Sequence, residues 1–566
     1  MANENKTLTA LAAAALAFHL FAGVSFIRSA APTYDEPVHL AGGYCGWVTG
    51  QVSTPDHPPL AQLLSALPLL ALRPGTFAAS PFYAKEITYE YADIFLYENS
   101  VPAGRLLNTA RLFGFFLWTA LSVFFLYQLA FRLVGAQAAL LSVAVFSFMP
   151  VFIANNALVT TDAGGTVFFL GAVAAACRFS RSSPAAAPGG SERRELGRAA
   201  LAGVLSGLAM ASKFSMFILP PLIAALWLLD GSLKGGLKPG RLLTACGLLL
   251  AAAALTVVVV YRFHPGLYFS GLLATLGRLS EGRASFAGGN YYPSGVWWYF
   301  PFAFAVKTPL AVMFLGLAGL FACFRLPGRN WVWVLVPPAV YFTASFFSNV
   351  QIGCRHILPV MPFAALAAGI GAARIIKARR YLPAAAAAVL LLSWGWLLLR
   401  THPYYLAYFN ELAGGPANGR KLLADSNLDW GQDIKTTAAW LKGRGTPPVI
   451  LSYFGTARPE SYGIRYAPLE IISNIALTGT GVDVCGMKDV LLAVSAGNLQ
   501  GVNYTDKRTF FWLKTRQPVF SAGYTIFIYD LSSDKEGLED LAALFASEGR
   551  EPEANCLYAR GAALSH

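Results

Sequence analysis

Uninterrupted apolar stretches recur from Leu8 to about Leu399, several of them ~20 residues long. At a rise of ~1.5 Å per helical residue, that is the length a bilayer's hydrocarbon core demands. A chain built this way must satisfy its backbone inside each crossing segment, which restricts it to bundled helices or a closed barrel. Helical spans are expected. Over the whole 566 residues, 55% are hydrophobic and only 13% charged, a balance that excludes an ordinary water-soluble enzyme.

Spans are expected near 8–28, 108–132, 135–150, 164–178, 199–212, 215–230, 242–262, 297–324, 331–347, 357–373 and 382–399, about eleven in all. Three of them, 135–150, 199–212 and 215–230, are shorter than a full crossing needs. The first run, Leu8–Ile27, exceeds the ~7–15 residues of a signal-peptide core and reads as an uncleaved helix. The fold class is therefore mainly α and polytopic.

Net charge is +13, but the bases sit in short loops between apolar runs and do not gather with aromatics on a polar face, so no nucleic-acid partner is indicated. Arg178, Arg181, Arg193, Arg194 and Arg198 share one loop; Lys234, Lys238 and Arg241 another; Arg325 and Arg329 a third; Arg374, Lys377, Arg379 and Arg380 a fourth. All four fall on the cytoplasmic side if the N-terminus is cytoplasmic. Ser183–Gly190 reads as a flexible linker on that side.

The opposite face then receives a first loop from about Ser29 to Arg105, the turn at Asp162, the stretch Phe263–Val296, the turn Ser348–Pro359 and everything after Thr401. This divides the chain into a transmembrane unit, 1–400, and an extracytoplasmic C-terminal unit, 401–566. The tail is soluble in composition. A helical pattern at Asp433–Lys442, strand-like Val449–Tyr453, Val490–Val494 and Tyr524–Tyr529, and a helical Leu538–Ser547 predict a small α/β or α+β domain. Seven scattered cysteines with no Cys-x-x-Cys pair suggest neither a disulfide framework nor a structural zinc site.

Chemistry concentrates on the extracytoplasmic side. Tyr34-Asp35-Glu36 follows the first span, with His39 and Asp56-His57-Pro58-Pro59 beyond it, and Asp162 opens another span. Helix capping is an alternative role for each acid. Lys307 lies roughly 15 Å into an apolar run, where a charge must snorkel, pair or face a polar cavity. Lys213, Arg105, Arg111 and Arg355-His356 also border spans. Together these cations and acids suit an anionic ligand at the membrane surface. There is no Gly-x-x-x-x-Gly-Lys-Ser/Thr loop and no cytoplasmic domain large enough for a nucleotide sugar. An activated substrate used outside must then arrive on a lipid.

Asp35-Glu36, His57-Pro58-Pro59-Leu60, Asp162, Lys307-Thr308-Pro309-Leu310 and Gly353-Cys354-Arg355-His356-Ile357-Leu358-Pro359 resemble, in that order, the bacterial branch of the C-type membrane glycosyltransferases. That branch is similar to the dolichyl-phosphate-mannose protein mannosyltransferases and the lipid A aminoarabinose transferase. In the tail, Asp425-Ser426-Asn427-Leu428-Asp429-Trp430-Gly431-Gln432-Asp433, Tyr453-Phe454-Gly455-Thr456 and Asn498-Leu499-Gln500-Gly501 are similar to its C-terminal signature. The resemblance implies transfer of a hexose, such as mannose, or a pentose from a polyprenyl-phosphate carrier to an acceptor, at the bacterial cytoplasmic membrane. It implies Asp35 as the acceptor-activating base, Glu36 as an acceptor-binding or supporting carboxylate and Asp162 as a second acid. Arg105, Lys213, Lys307, Arg355 and His356 are expected to cradle the donor phosphate, with Tyr34 and His57 on the acceptor or loop side. The acceptor, whether protein, lipid or glycan, stays open, as does a divalent metal bridging Asp35 and Asp162. A lipid-linked-sugar flippase or solute transporter, or a non-catalytic member of a polysaccharide assembly complex, are the rival functions; no paired halves of the transporter kind are visible.

Overall fold

The computed structural model describes residues 2–52, 56–77, 87–180, 190–233, 239–326 and 329–564. Most of the expected linker Ser183–Gly190 and the basic residues Arg181, Lys234 and Lys238 lie outside them. Each expected span coincides with helix. Among the described residues, seven helical stretches are long and apolar enough to cross a membrane: Lys6–Ser29, Ala103–Val134, Thr161–Ser180, Phe214–Gly231, Pro239–Val260, Cys354–Ala378 and Tyr381–Thr401. An eighth crossing arises if Tyr299–Lys307 and Leu310–Cys323 act together across a 110° bend. Eleven crossings are therefore not established. Ala136–Phe148 and Trp331–Ser345 are helical but short, and Gly190–Met210 spends its first turns on charged residues.

The bend at Thr308-Pro309 has a local cause. Pro309 lacks an N–H and its ring disfavours helical backbone at Thr308, which is extended at ψ 130. The helix therefore stops at Lys307, so the amine expected deep inside a span lies at a helix end.

Helices approach closely where side chains vanish. A Cβ on Gly319 would meet the Ala367 carbonyl oxygen at 1.8 Å, and one on Gly371 the Leu315 oxygen at 1.9 Å, so Leu310–Cys323 and Met361–Ala378 pack backbone to backbone.

The first loop folds over this bundle as helices Glu36–Thr49, Leu60–Ala66, Leu69–Leu72 and Tyr89–Tyr97. Leu40, Tyr44, Tyr91 and Phe95 form a core with Leu106 and Leu107 of the helix that follows. Thr88 caps Tyr89–Tyr97 by accepting from the Tyr91 N–H.

After Thr401 the chain builds a five-stranded mixed sheet in the order Tyr466–Pro468, Val449–Ser452, Leu491–Ser495, Ile526–Asp530, Phe520–Ala522. The first three strands are parallel; Ile526–Asp530 pairs antiparallel with Leu491–Ser495, Val494 opposite Phe527, and Phe520–Ala522 pairs antiparallel with Ile526–Asp530. Helices Ile434–Lys442, Lys535–Ser547 and Glu551–Ala563 accompany it. Contrary to the sequence expectation, Cys485 and Cys556 form a disulfide across 71 residues of the tail. The tail also docks on the first loop: the Ala31 N–H donates to the Gln432 carbonyl and the Tyr34 N–H to that of Trp430, both at 2.8 Å, while Arg458 pairs with Asp93.

Candidate active site

The folding of the first loop against the helical bundle brings several of the sequence motifs to one cavity of about 910 Å³. Its charged lining includes Asp35, Asp162, Lys213 and Arg355, with the His57 and His356 rings beside them. Phe214, Phe217, Leu272, Leu276 and Phe347 supply apolar wall, and Arg278 and Arg283 further cationic lining. One enclosure thus offers both a polar cluster and a greasy surface, as an amphiphile requires.

Asp35 occupies the N-cap position of Glu36–Thr49 but makes no capping hydrogen bond. Its carboxylate turns into the cavity instead, where Oδ1 accepts from the Tyr89 hydroxyl at 3.1 Å and Oδ2 from Arg355 Nη2 at 3.3 Å. Asp162, in the first turn of Thr161–Ser180, accepts from Lys213 Nζ through Oδ1 and from Arg355 Nη1 through Oδ2 at 3.4 Å. Arg355 therefore bridges the two acids. Burial pushes the Asp35 carboxyl up, but the Arg355 guanidinium, then His39 and His57 and the Tyr89 hydroxyl, outweigh it and hold the group below its ordinary value. It is ionised at neutral pH and able to accept a proton.

The surrounding rings are kept neutral. Burial, then the neighbouring His57, lowers His39 to about 3, and burial also lowers His57; the two rings meet edge to face at 4.8 Å. His356 has a buried Nε2 with no hydrogen-bond partner. Tyr34 is raised to about 12, chiefly by burial, and packs against Tyr89 and Phe454 without lining the cavity.

Three more expected site residues are placed outside the cavity. Glu36 is fully buried and clamped: Arg111 grips both carboxylate oxygens, and the N–H groups of Thr33 and Val159 donate to it at 2.8 and 2.9 Å. No oxygen is left for an acceptor, so its geometry is that of a supporting carboxylate. Lys307 is also buried, with its amine donating to the carbonyls of Leu406 at 2.9 Å and Asn427 at 2.5 Å over the Phe409 ring. Backbone dipoles of the tail satisfy the charge, so Lys307 faces neither lipid nor the cavity. Arg105 is exposed at the start of Ala103–Val134 and does not line the cavity. The structure adds residues to which the sequence assigned no role: Tyr89, Arg278, Arg283, Ser426 and Trp430.

A metal bridge between Asp35 and Asp162 does not suit this arrangement, because a guanidinium already stands between them. Among the described residues, no three His, Cys, Asp or Glu side chains are grouped to hold an ion.

Residues 104–261, which include Asp162 and Lys213, match the sequence family described as Dolichyl-phosphate-mannose-protein mannosyltransferase. The chain is similar to this family. Among curated proteins none matches the chain. Among solved structures, ArnT from Cupriavidus metallidurans bound to undecaprenyl phosphate aligns at a TM-score of 0.45 and 13% identity, over 92% of this chain and 97% of that one. The archaeal oligosaccharyltransferase AglB from Archaeoglobus fulgidus, in complex with an inhibitory peptide and a dolichol-phosphate, gives 0.45 and 12% over 76% of this chain and 58% of that one. The S. cerevisiae protein O-mannosyltransferase Pmt1-Pmt2 complex, bound to the sugar donor, gives 0.35 and 20% over 47% and 34%.

Proposed function

We propose that this chain transfers a sugar from a polyprenyl-phosphate carrier to an acceptor hydroxyl on the extracytoplasmic face of the bacterial cytoplasmic membrane. Residues 1–400 form the transmembrane transferase unit and 401–566 an extracytoplasmic domain. The observation that carries the reading is an ionised carboxylate, Asp35, set 3.3 Å from an arginine shared with a second acid, in a cavity with apolar walls. The phosphate of the carrier competes for Arg355 and Lys213, and the isoprenoid finds the apolar lining. The acceptor oxygen attacks the anomeric carbon, the bond from that carbon to phosphate oxygen breaks, and the acceptor proton passes to Asp35. A phosphate is a good leaving group, so the two cations stabilise its charge and no second carboxylic acid is needed to protonate it. A single displacement inverts the anomeric configuration. A donor phosphate bound to Arg355 offsets part of the positive charge that Asp35 feels, so the carboxylate becomes a stronger base once the donor is in place.

The disulfide supports placing the tail outside, because such bonds persist in oxidising compartments. Denatured, unreduced protein is expected to take five thiol-reactive mass tags, on Cys45, Cys177, Cys246, Cys323 and Cys354, and seven after reduction. Seven tags without reduction would remove that support.

The reaction is tested by incubating vesicles containing the full chain with a panel of polyprenyl-phosphate sugars and an envelope extract as the source of acceptor. Release of free polyprenyl phosphate with one donor is the expected result. Flipping of a donor across the vesicle without bond cleavage would favour the transporter instead.

A further inference from the structure

The tail segment Asp425–Asp433 packs directly on Arg355, behind the wall of the cavity. Arg355 Nε donates to Ser426 Oγ at 3.1 Å, and that hydroxyl donates to the Ile352 carbonyl at 2.6 Å. The guanidinium carbon lies 4.0 Å from the centre of the Trp430 ring, a close cation–π stack. By contrast, the hydrogen bonds from Arg355 to Asp35 and Asp162 are 3.3 and 3.4 Å, well beyond the ~2.7–2.9 Å of a tight charge-assisted pair. The acids therefore hold the arginine slackly, while the tail holds it at contact distance.

The segment is itself anchored on every side. Asn427 accepts from the Cys354 N–H at 2.9 Å, one residue before the arginine, and donates to the Tyr299 hydroxyl at 2.7 Å. Lys307 grips the Asn427 carbonyl, which gives that buried cation a purpose away from the cavity. The Trp430 carbonyl accepts from the Tyr34 N–H at 2.8 Å, next to Asp35 in the chain. Trp430 thus touches both the arginine and the backbone that carries the base.

We infer that Trp430 and Ser426 are positioning residues that fix Arg355 between Asp35 and Asp162, so that the tail completes the catalytic site. The inference rests on the glycosyltransferase reading above. Trp430 lies behind the guanidinium and does not line the cavity, so it acts through Arg355 and not on substrate.

The test uses the full chain in vesicles with whichever polyprenyl-phosphate sugar the parent protein consumes, and compares pH profiles of kcat/KM for the parent, Trp430→Leu, Trp430→Phe and Ser426→Ala. Asp35 is faced by Arg355, His39, His57, Tyr34, Tyr89 and Asp425, and only the hold on Arg355 differs among these proteins. Trp430→Leu is expected to lose roughly 10- to 100-fold in kcat/KM, and its acid limb to move up by about one pH unit as Asp35 loses its cation. Trp430→Phe keeps a ring under the guanidinium and should recover most of both. A folded Trp430→Leu with the parent's limb overturns the inference. Should that variant fail to fold, Ser426→Ala, which removes one hydroxyl, decides in the same way: a raised limb supports the inference and an unmoved limb overturns it. A parent protein that consumes no donor would instead sink the transferase reading itself.

Discussion

Replacing Asp35 with Asn lowers turnover by about 10²- to 10⁴-fold, equivalent to roughly 3–5 kcal/mol of barrier, while donor binding stays within a few-fold of the parent. The substitution keeps the shape of the side chain and its hydrogen bond with the Tyr89 hydroxyl, and removes only the proton acceptor. A role in helix capping predicts something different: about 1 kcal/mol of stability lost and near-normal turnover. The absence of any capping hydrogen bond from the carboxylate speaks against that alternative. The pH dependence carries an independent sign. A base must be deprotonated to work, and Asp35 is held below its ordinary value by Arg355 and its other neighbours against the effect of burial. Activity of the parent should therefore persist as pH falls to about 4 and decline only below it. Measuring turnover and thermal midpoint of Asp35→Asn in one detergent preparation separates base from cap. Retained turnover within a few-fold would remove Asp35 from the chemistry.

Hydropathy located helices well because a bilayer leaves the backbone little choice, whereas the number of crossings is a matter of length. Ala136–Phe148 is apolar enough yet only 13 residues long. The single apolar run at 297–324 concealed a sharp bend, although Pro309 marked the place. In the tail, the short continuous apolar runs at Val449–Ser452 and Leu491–Ser495 read directly as strands buried on both faces, and every residue of both is buried. Glu551–Ala563 gave no such signal, with one buried residue every third or fourth position among many exposed ones. The disulfide was illegible because its cysteines lie 71 residues apart with no motif between them.

The site divides in the same way. Asp35, Asp162, Lys213 and Arg355 announce themselves as charges at the borders of apolar runs, where water or a ligand must meet them. Tyr89 and Trp430 are neutral residues from segments 54 and 75 positions away from their partners, and nothing local distinguishes them from core aromatics. Charge at a span border also misled: Lys307 and Glu36 satisfy the same expectation by being buried against the protein's own backbone and Arg111.

Glu36 consequently becomes a prediction about stability more than catalysis. Its side chain and that of Arg111 are wholly inaccessible, and Arg111 also donates to the carbonyls of Ala30 and Ala31 at 2.9 and 2.8 Å. The pair thereby ties the end of the first span to the second and, through the Val159 N–H, to the turn that precedes Asp162. Removing one partner strands the other charge without water, which typically costs about 3–5 kcal/mol. Glu36→Gln and Arg111→Met should each lower the thermal midpoint sharply and reduce the amount of folded protein, with the surviving fraction showing a nearly unchanged KM for donor. The double variant leaves neither charge unpaired, so its loss should fall short of the summed single losses by at least about 2 kcal/mol. Strict additivity would mean that the two side chains do not act as a pair. A Glu36→Gln protein of normal stability whose acceptor KM alone has risen would return this carboxylate to the substrate.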